Sequence, residues 1–187
     1  MKMNINFAFI LVLLTLNSCT IKGSFRGLYS FYAQTKASRP ELLSRPAPDS
    51  SICEIKNTDT PKVYVINGSV LKECLKSRDK AIVYIWSSRC QSELCYSLNL
   101  VQQKCDAKGL ELFIVAEYYD DELMNFKYRI EHPILGIDTE YYKTNFTSRY
   151  LSRFLRDLAG ITKFENRFFY FENGIMKRSF SEIDKIS

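Results

Sequence analysis

Six cysteines and a single histidine, His132, carry most of the reactive chemistry of this chain. With one imidazole there is little room for a zinc site of the Cys/His type, and Cys–His or Ser–His catalysis would rest on that residue alone. Standing before Pro133, His132 reads as a loop residue rather than a catalyst. The thiols remain: Cys19, Cys53, Cys74, Cys90, Cys95 and Cys105. As thiolates they are nucleophiles, and in pairs they exchange with other disulfides. Cys90 and Cys95 form a Cys-x4-Cys pair. On a regular helix that spacing separates the Cα atoms by about 8.6 Å, from a radius of about 2.3 Å and a rise of about 1.5 Å per residue. A disulfide joins Cα atoms roughly 4.4–6.8 Å apart. The two can pair only if Cys90 precedes the helix or the first turn unwinds. A structural disulfide and two inert thiols are the plain alternatives. Cys105 reads as a small core residue, and Cys74 as either core or a partner for Cys53.

The elements that must position these thiols follow from periodicity. Lys62–Ile66 (KVYVI) is a β-branched strand stopped by Asn67-Gly68, and Ser69 starts a short helix through Ser77. Ala81–Trp86 (AIVYIW) is a continuous apolar run, as a buried central strand requires. A helix is predicted from near Cys90 to Ala107, with Leu94, Leu98, Val101 and Cys105 on its buried face and Gly109 ending it. Leu110–Ala116 is a second buried strand, Asp120–Arg129 a short helix and Ile134–Ile137 a brief strand. Asn145–Ala159 is an amphipathic helix whose stripe is Phe146, Tyr150, Phe154 and Leu158; Arg149, Arg153 and Arg156 take the solvated side. Phe168–Phe171, an Asn173-Gly174 turn and Ile175–Phe180 make a hairpin, and Ser181–Ser187 a last helical turn. Strands alternating with helices predict an α/β sandwich. Its central sheet is mixed, with a C-terminal antiparallel hairpin and helices on both faces.

Ahead of this domain lies a different kind of sequence. Met1-Lys2-Met3 is a short positive start, and Phe7–Leu16 is an apolar run of ten residues. About 20 are needed to span a bilayer, so the run has the length of a signal-peptide core. Leu16-Asn17-Ser18-Cys19 resembles the bacterial lipobox, in which the cysteine is acylated. The resemblance implies a signal peptide over residues 1–18 and a membrane anchor at Cys19, since two or more acyl chains hold stably where one does not. The alternative is simple secretion after cleavage near Ser18. Residues 19–60 then form a tether and lead-in, with Pro40, Pro46 and Pro48 among polar residues. Within it Phe25, Leu28, Tyr29, Phe31 and Tyr32 either pack on the domain or lie at the lipid interface. The domain proper is expected over 61–187. Export fits a chain that keeps disulfides, and the five cysteines beyond Cys19 leave at least one thiol unpaired within the chain.

The net charge of +5 is spread along the chain without a basic run, which gives nucleic-acid binding little support. Hydrophobic residues at 46% and thirteen Phe with twelve Tyr supply a full core.

The order of elements is similar to the thioredoxin fold over about residues 61–187, and the likeness sharpens at Ala81–Cys95 (AIVYIWSSRCQSELC). In thioredoxins and membrane-anchored thiol oxidoreductases a buried strand ends in Trp, and the first active cysteine follows four residues later; Trp86 and Cys90 match. Phe168–Gly174 looks like the family's penultimate strand and turn. The resemblance implies a thiol–disulfide oxidoreductase of the cell envelope, facing the periplasm or exterior, that acts on protein thiols or disulfides and needs no cofactor. Cys90 is then the nucleophile, its thiolate favoured by a helix N-terminus, and Cys95 resolves the mixed disulfide. Trp86, Ser87, Arg89 and Glu93 would support the site, Arg89 by its charge if it points inward and Glu93 as a proton carrier, against the plain reading of Glu93 as an exposed helical residue.

The sequence also departs from the family. Its usual motif is Cys-x-x-Cys. Its buried acid two residues before the Trp is replaced by Tyr84, and Glu165-Asn166-Arg167 occupies the place of its cis-proline. These departures favour a second reading, a thioredoxin-like lipoprotein that binds partners without catalysis. A third is an atypical thiol peroxidase, because the bacterioferritin-comigratory peroxiredoxins use Cys-x4-Cys with a Thr or Ser three before the peroxidatic cysteine, where Ser87 stands. Their proline seven residues before that cysteine is replaced by Val83.

Overall fold

A computed structural model describes residues 27–47 and 50–186. The expected signal peptide and Cys19 lie outside the described residues. Seven strands form one sheet: β1 (Leu43–Ser44), β2 (Val63–Ile66), β3 (Lys80–Trp86), β4 (Glu111–Ala116), β5 (Ile134–Ile137), β6 (Phe168–Glu172) and β7 (Ile175–Phe180). Their order is β1-β2-β5-β4-β3-β6-β7. The first five in that order run parallel, whereas β6 is antiparallel to β3 and β7 to β6. The sheet is therefore mixed and ends in the expected hairpin. Asn173 and Gly174 both take positive φ at its turn (49° and 75°), the conformation a two-residue hairpin needs to follow the twist of its strands.

The helices among the described residues are α1 (Tyr32–Ser38), α2 (Gly68–Leu75), α3 (Leu98–Asp106) and α4 (Thr147–Ala159). Alternation along β3 divides the core. Ile82, Tyr84 and Trp86 face the layer that holds Tyr32 of α1 and Leu98, Val101 and Cys105 of α3. Ala81, Val83 and Ile85 face α2 and α4. From α4, Tyr150, Leu151, Phe154, Leu155 and Leu158 are buried. Each such side chain contributes roughly 1.5–3 kcal/mol of hydrophobic stabilisation, enough to hold a helix whose opposite face is rich in arginine. The helix ends at Gly160, which adopts φ 73° and returns its N–H to the Arg156 carbonyl.

Several expected elements differ. The helix predicted from Cys90 starts at Leu98, capped by Ser97, whose hydroxyl accepts from the Leu100 N–H. The reason is covalent: Cys90 and Cys95 are joined at a Cα separation of 5.7 Å, which a regular helix cannot supply at that spacing. Leu94, expected on the buried face, is consequently exposed in the loop. Phe146 is also exposed, because it stands just before α4, where the chain is still extended. The helix expected over Asp120–Arg129 reduces to a 3-10 turn at Leu123–Asn125.

Most of the expected lead-in belongs to the folded body. Tyr32 and Leu42 are buried in one core layer, Ile52 and Cys53 in the other, and β1 adds to the edge of the sheet. Of the lead-in side chains, Tyr32 packs on the domain, its ring tilted against Tyr119 with centroids 5.1 Å apart, while Leu28 stays exposed and Phe25 lies outside the described residues. Cys53 and Cys74 are disulfide-bonded with Cα atoms 5.4 Å apart, tying the 3-10 turn Ile52–Glu54 to α2. His132 is a buried loop residue. Its Nδ1 lies 2.9 Å from the Ile55 carbonyl, its Nε2 lies 2.7 Å from Glu111, and its ring stacks on Phe113.

Candidate redox site

The parallel strands deliver their C-terminal ends to one edge of the molecule, and the loop 87–97 leaves that edge from β3. Two turns shape it: the Cys90 N–H donates to the Ser87 carbonyl, and the Cys95 N–H to the Ser92 carbonyl. Between them the chain doubles back and brings Cys90 and Cys95 into a disulfide. Both cysteines are half-buried and line a cleft of about 270 Å³ with Trp86, Ser87, Tyr96 and Tyr128. Trp86 is buried at the cleft floor and meets Tyr128 edge-on at 5.8 Å.

The two disulfides differ in setting. Cys53 and Cys74 are buried in the core. Cys90 and Cys95 sit in a polar, solvent-facing loop, where an external thiolate can approach a sulfur. Thiol–disulfide exchange needs that access. Cys105 is the free thiol among the described residues, buried in α3. Burial pushes it up to about 12, so it is a core residue and no nucleophile at neutral pH.

The structure places the expected supporting residues unevenly. Trp86 and Ser87 line the cleft. Glu93 is exposed on the loop, and the group that touches the sulfurs is instead Ser92. Its Oγ lies 3.5 Å from Cys90 Sγ and 3.1 Å from Cys95 Sγ. Ser92 carries no sequence motif; its role appears only when the loop closes and brings both sulfurs to one hydroxyl. Arg89 does not serve as a positive charge for the thiols. It donates to buried Asp120 at 2.6 Å and also pairs with Glu122, so its charge is spent on carboxylates. Its backbone N–H is held by the Tyr118 hydroxyl at 3.2 Å, which pins the loop to the segment after β4. Nor does Cys90 stand at a helix N-terminus, since α3 begins eight positions later. The expected dipole assistance to Cys90 falls away for that reason.

Tyr84 is buried in β3, two residues before Trp86. Its ring stacks on Phe168 at 4.5 Å. Burial raises its phenol, and the nearby Tyr96 backbone N–H acts in the opposite direction. Arg167 donates to the Ile85 carbonyl at 3.2 Å and to Glu117 at 3.1 Å, and its own carbonyl accepts from the Ile85 N–H. The described residues contain no cis peptide. No group of three or more His, Cys, Asp or Glu among them could hold a metal ion.

No family model, curated protein or solved structure matches this chain.

Proposed function

We propose that this chain is a membrane-tethered thiol–disulfide oxidoreductase of the thioredoxin-like type, acting on protein cysteines of the cell envelope through Cys90 and Cys95. One observation carries the reading: a disulfide in a solvent-facing cleft at the C-terminal end of a central strand, with a hydroxyl in contact with both sulfurs. The mixed sheet with its terminal hairpin supports it, as does Trp86 four residues before Cys90. Two disulfides in one chain indicate an oxidising, extracytoplasmic setting. No helix among the described residues is long and apolar enough to cross a membrane. The tether of this reading is acylated Cys19.

In the reduced enzyme the Cys90 thiolate attacks one sulfur of a substrate disulfide and expels the other as a thiolate. Cys95, as thiolate, then attacks Cys90 Sγ; the second substrate sulfur leaves and the Cys90–Cys95 bond forms. Two electrons pass from the cysteine pair to the substrate, and the reverse sequence oxidises a substrate dithiol. Ser92 sits closer to Cys95 and donates to the charge that gathers there when Cys90 is the sulfur under attack.

A second reading, a partner-binding module without turnover, is favoured by Arg167 in the place of the family's proline. Insulin disulfide reduction, peroxide consumption and titration of the Cys90 thiol, each with Cys90→Ser as control, separate the readings. Reduction that disappears in Cys90→Ser is the expected result. A thiol near the free value of about 8.5 with neither activity would leave the binding module. Rapid peroxide turnover would make the chain a thiol peroxidase.

A further inference from the structure

The described chain enters the fold at the same end of the sheet that carries Cys90 and Cys95. Ser30 donates its N–H to the Asn145 carbonyl and accepts from the Tyr119 N–H, both at the C-terminal edge of the parallel strands. Tyr118, one residue away, holds the Arg89 N–H in the disulfide loop. Two consecutive tyrosines thus span from the entering chain to the candidate redox loop.

Around the entry point lies an exposed patch of mixed character. Leu28 is 48% exposed and Phe146 39% exposed. The Thr147 N–H bonds to the Leu28 carbonyl, which holds the two segments side by side. Tyr29 packs on Phe146 with ring centroids 5.2 Å apart, and the Arg149 guanidinium lies over the Phe146 ring at 5.0 Å. An aliphatic tip, two aromatic rings and an exposed cation form the side-chain set that settles at a lipid headgroup boundary: rings at the interface, apolar surface inward, cation toward anionic headgroups.

Chain length couples this patch to the expected anchor. Seven residues lie between Cys19 and Gly27, so eight Cα–Cα steps separate the two. Fully extended they reach at most about 29 Å. A body of this size has a radius of gyration of about 15 Å, and so a diameter nearer 40 Å. The leash is shorter than the domain is wide.

From these relations, and resting on the reading of Cys19 as acylated and of Cys90–Cys95 as redox-active, we infer that the disulfide-bearing end of the sheet docks on the anionic lipid surface through Leu28, Tyr29, Phe146 and Arg149. The working cysteines then meet thiols and disulfides presented at the membrane surface at high effective concentration, and those free in solution less often.

The test uses the full chain, its acyl group at Cys19 verified by mass spectrometry, reconstituted in phosphatidylcholine–phosphatidylglycerol vesicles. Backbone hydrogen exchange of residues 27–30 and 145–149 is compared between anionic vesicles and neutral phosphatidylcholine vesicles. Slower exchange on the anionic surface, abolished by Leu28→Ser with Phe146→Ser and Arg149→Glu, is expected. In parallel, reduction of a phospholipid carrying a headgroup disulfide is compared with reduction of soluble insulin. A twenty-residue Gly/Ser spacer inserted after residue 22 should lower turnover of the lipid disulfide by about fivefold or more while insulin turnover holds. Equal exchange on both vesicle types, spacer-independent turnover of the lipid disulfide, or an unacylated Cys19 would each overturn the inference. If neither substrate is reduced, the redox reading fails while the exchange arm still reports the docking itself.

Discussion

The hydroxyl oxygen of Ser92 lies 3.1 Å from the sulfur of Cys95, nearer than to that of Cys90. A thiolate accepts a hydrogen bond far better than a disulfide sulfur does. Ser92 therefore stabilises the reduced state through Cys95. On this exposed loop the bond is worth about 0.7 kcal/mol. Ser92→Ala is expected to lower the reduction potential by about 15 mV. A glutathione-buffered redox titration measures the shift. A potential that rises would remove Ser92 from this role.

The two disulfides should part company under reductant. Graded dithiothreitol with alkylation and mass spectrometry is expected to label Cys90 and Cys95 first, and Cys53 and Cys74 only as the protein unfolds. The buried bridge joins residues 21 apart. By loop-closure entropy it stabilises by about 3 kcal/mol, against about 2 kcal/mol for the short loop. Denaturant melts of Cys53→Ser/Cys74→Ser and Cys90→Ser/Cys95→Ser give the comparison.

Cys105 makes a pH prediction. Its folded thiol, raised to about 12 by burial, stays neutral where the unfolded thiol ionises. Below the unfolded value of about 8.5 both states hold the proton and the contribution is complete. Above it the unfolded chain loses its proton first, so this part of the stability falls as pH rises toward about 12. Cys105→Ala should flatten the alkaline limb of the stability curve. Native Cys105 should resist iodoacetamide at pH 8 and react on denaturation.

Gly68 lets α2 press against the backbone of α4. A Cβ there would collide with the Phe154 carbonyl oxygen, a backbone atom that has nowhere to retreat, and would also press on the Leu158 nitrogen. Gly68→Ala is expected to destabilise by about 2 kcal/mol or more through overpacking, read as a lower denaturation midpoint. Unchanged stability would mean that the two helices slide apart freely.

Much of the fold was legible because its signals are local. The apolar run at Ala81–Trp86, the Asn173-Gly174 turn of the hairpin and the Tyr150, Phe154 and Leu158 stripe of α4 are each written in a few neighbouring residues. The failures arise from cross-links and contacts that the period of a single element does not announce. Leu94 fits a helical stripe that the Cys90–Cys95 bond forbids. Arg89 sits beside a cysteine in sequence, yet Asp120 and Glu122 from the next crossover claim it. The same holds for the lead-in. Its prolines suggest an open arm, but Tyr32, Leu42, Ile52 and Cys53 find the core, and no local pattern announces that. At the candidate site, sequence identifies the sulfurs, while Ser92 becomes visible only once the loop has closed.

The Cys53–Cys74 bridge has one more consequence. The stretch between its two ends includes Thr58–Thr60, an exposed segment open to proteolytic nicking. A single cut there would not part the N-terminal piece from the body that carries Cys90 and Cys95, because the bridge straddles the cut and still joins them. Parting the two pieces would take two events, a cleavage and a reduction. A nicked molecule would thus run as two bands on a reducing gel and as one on a non-reducing gel.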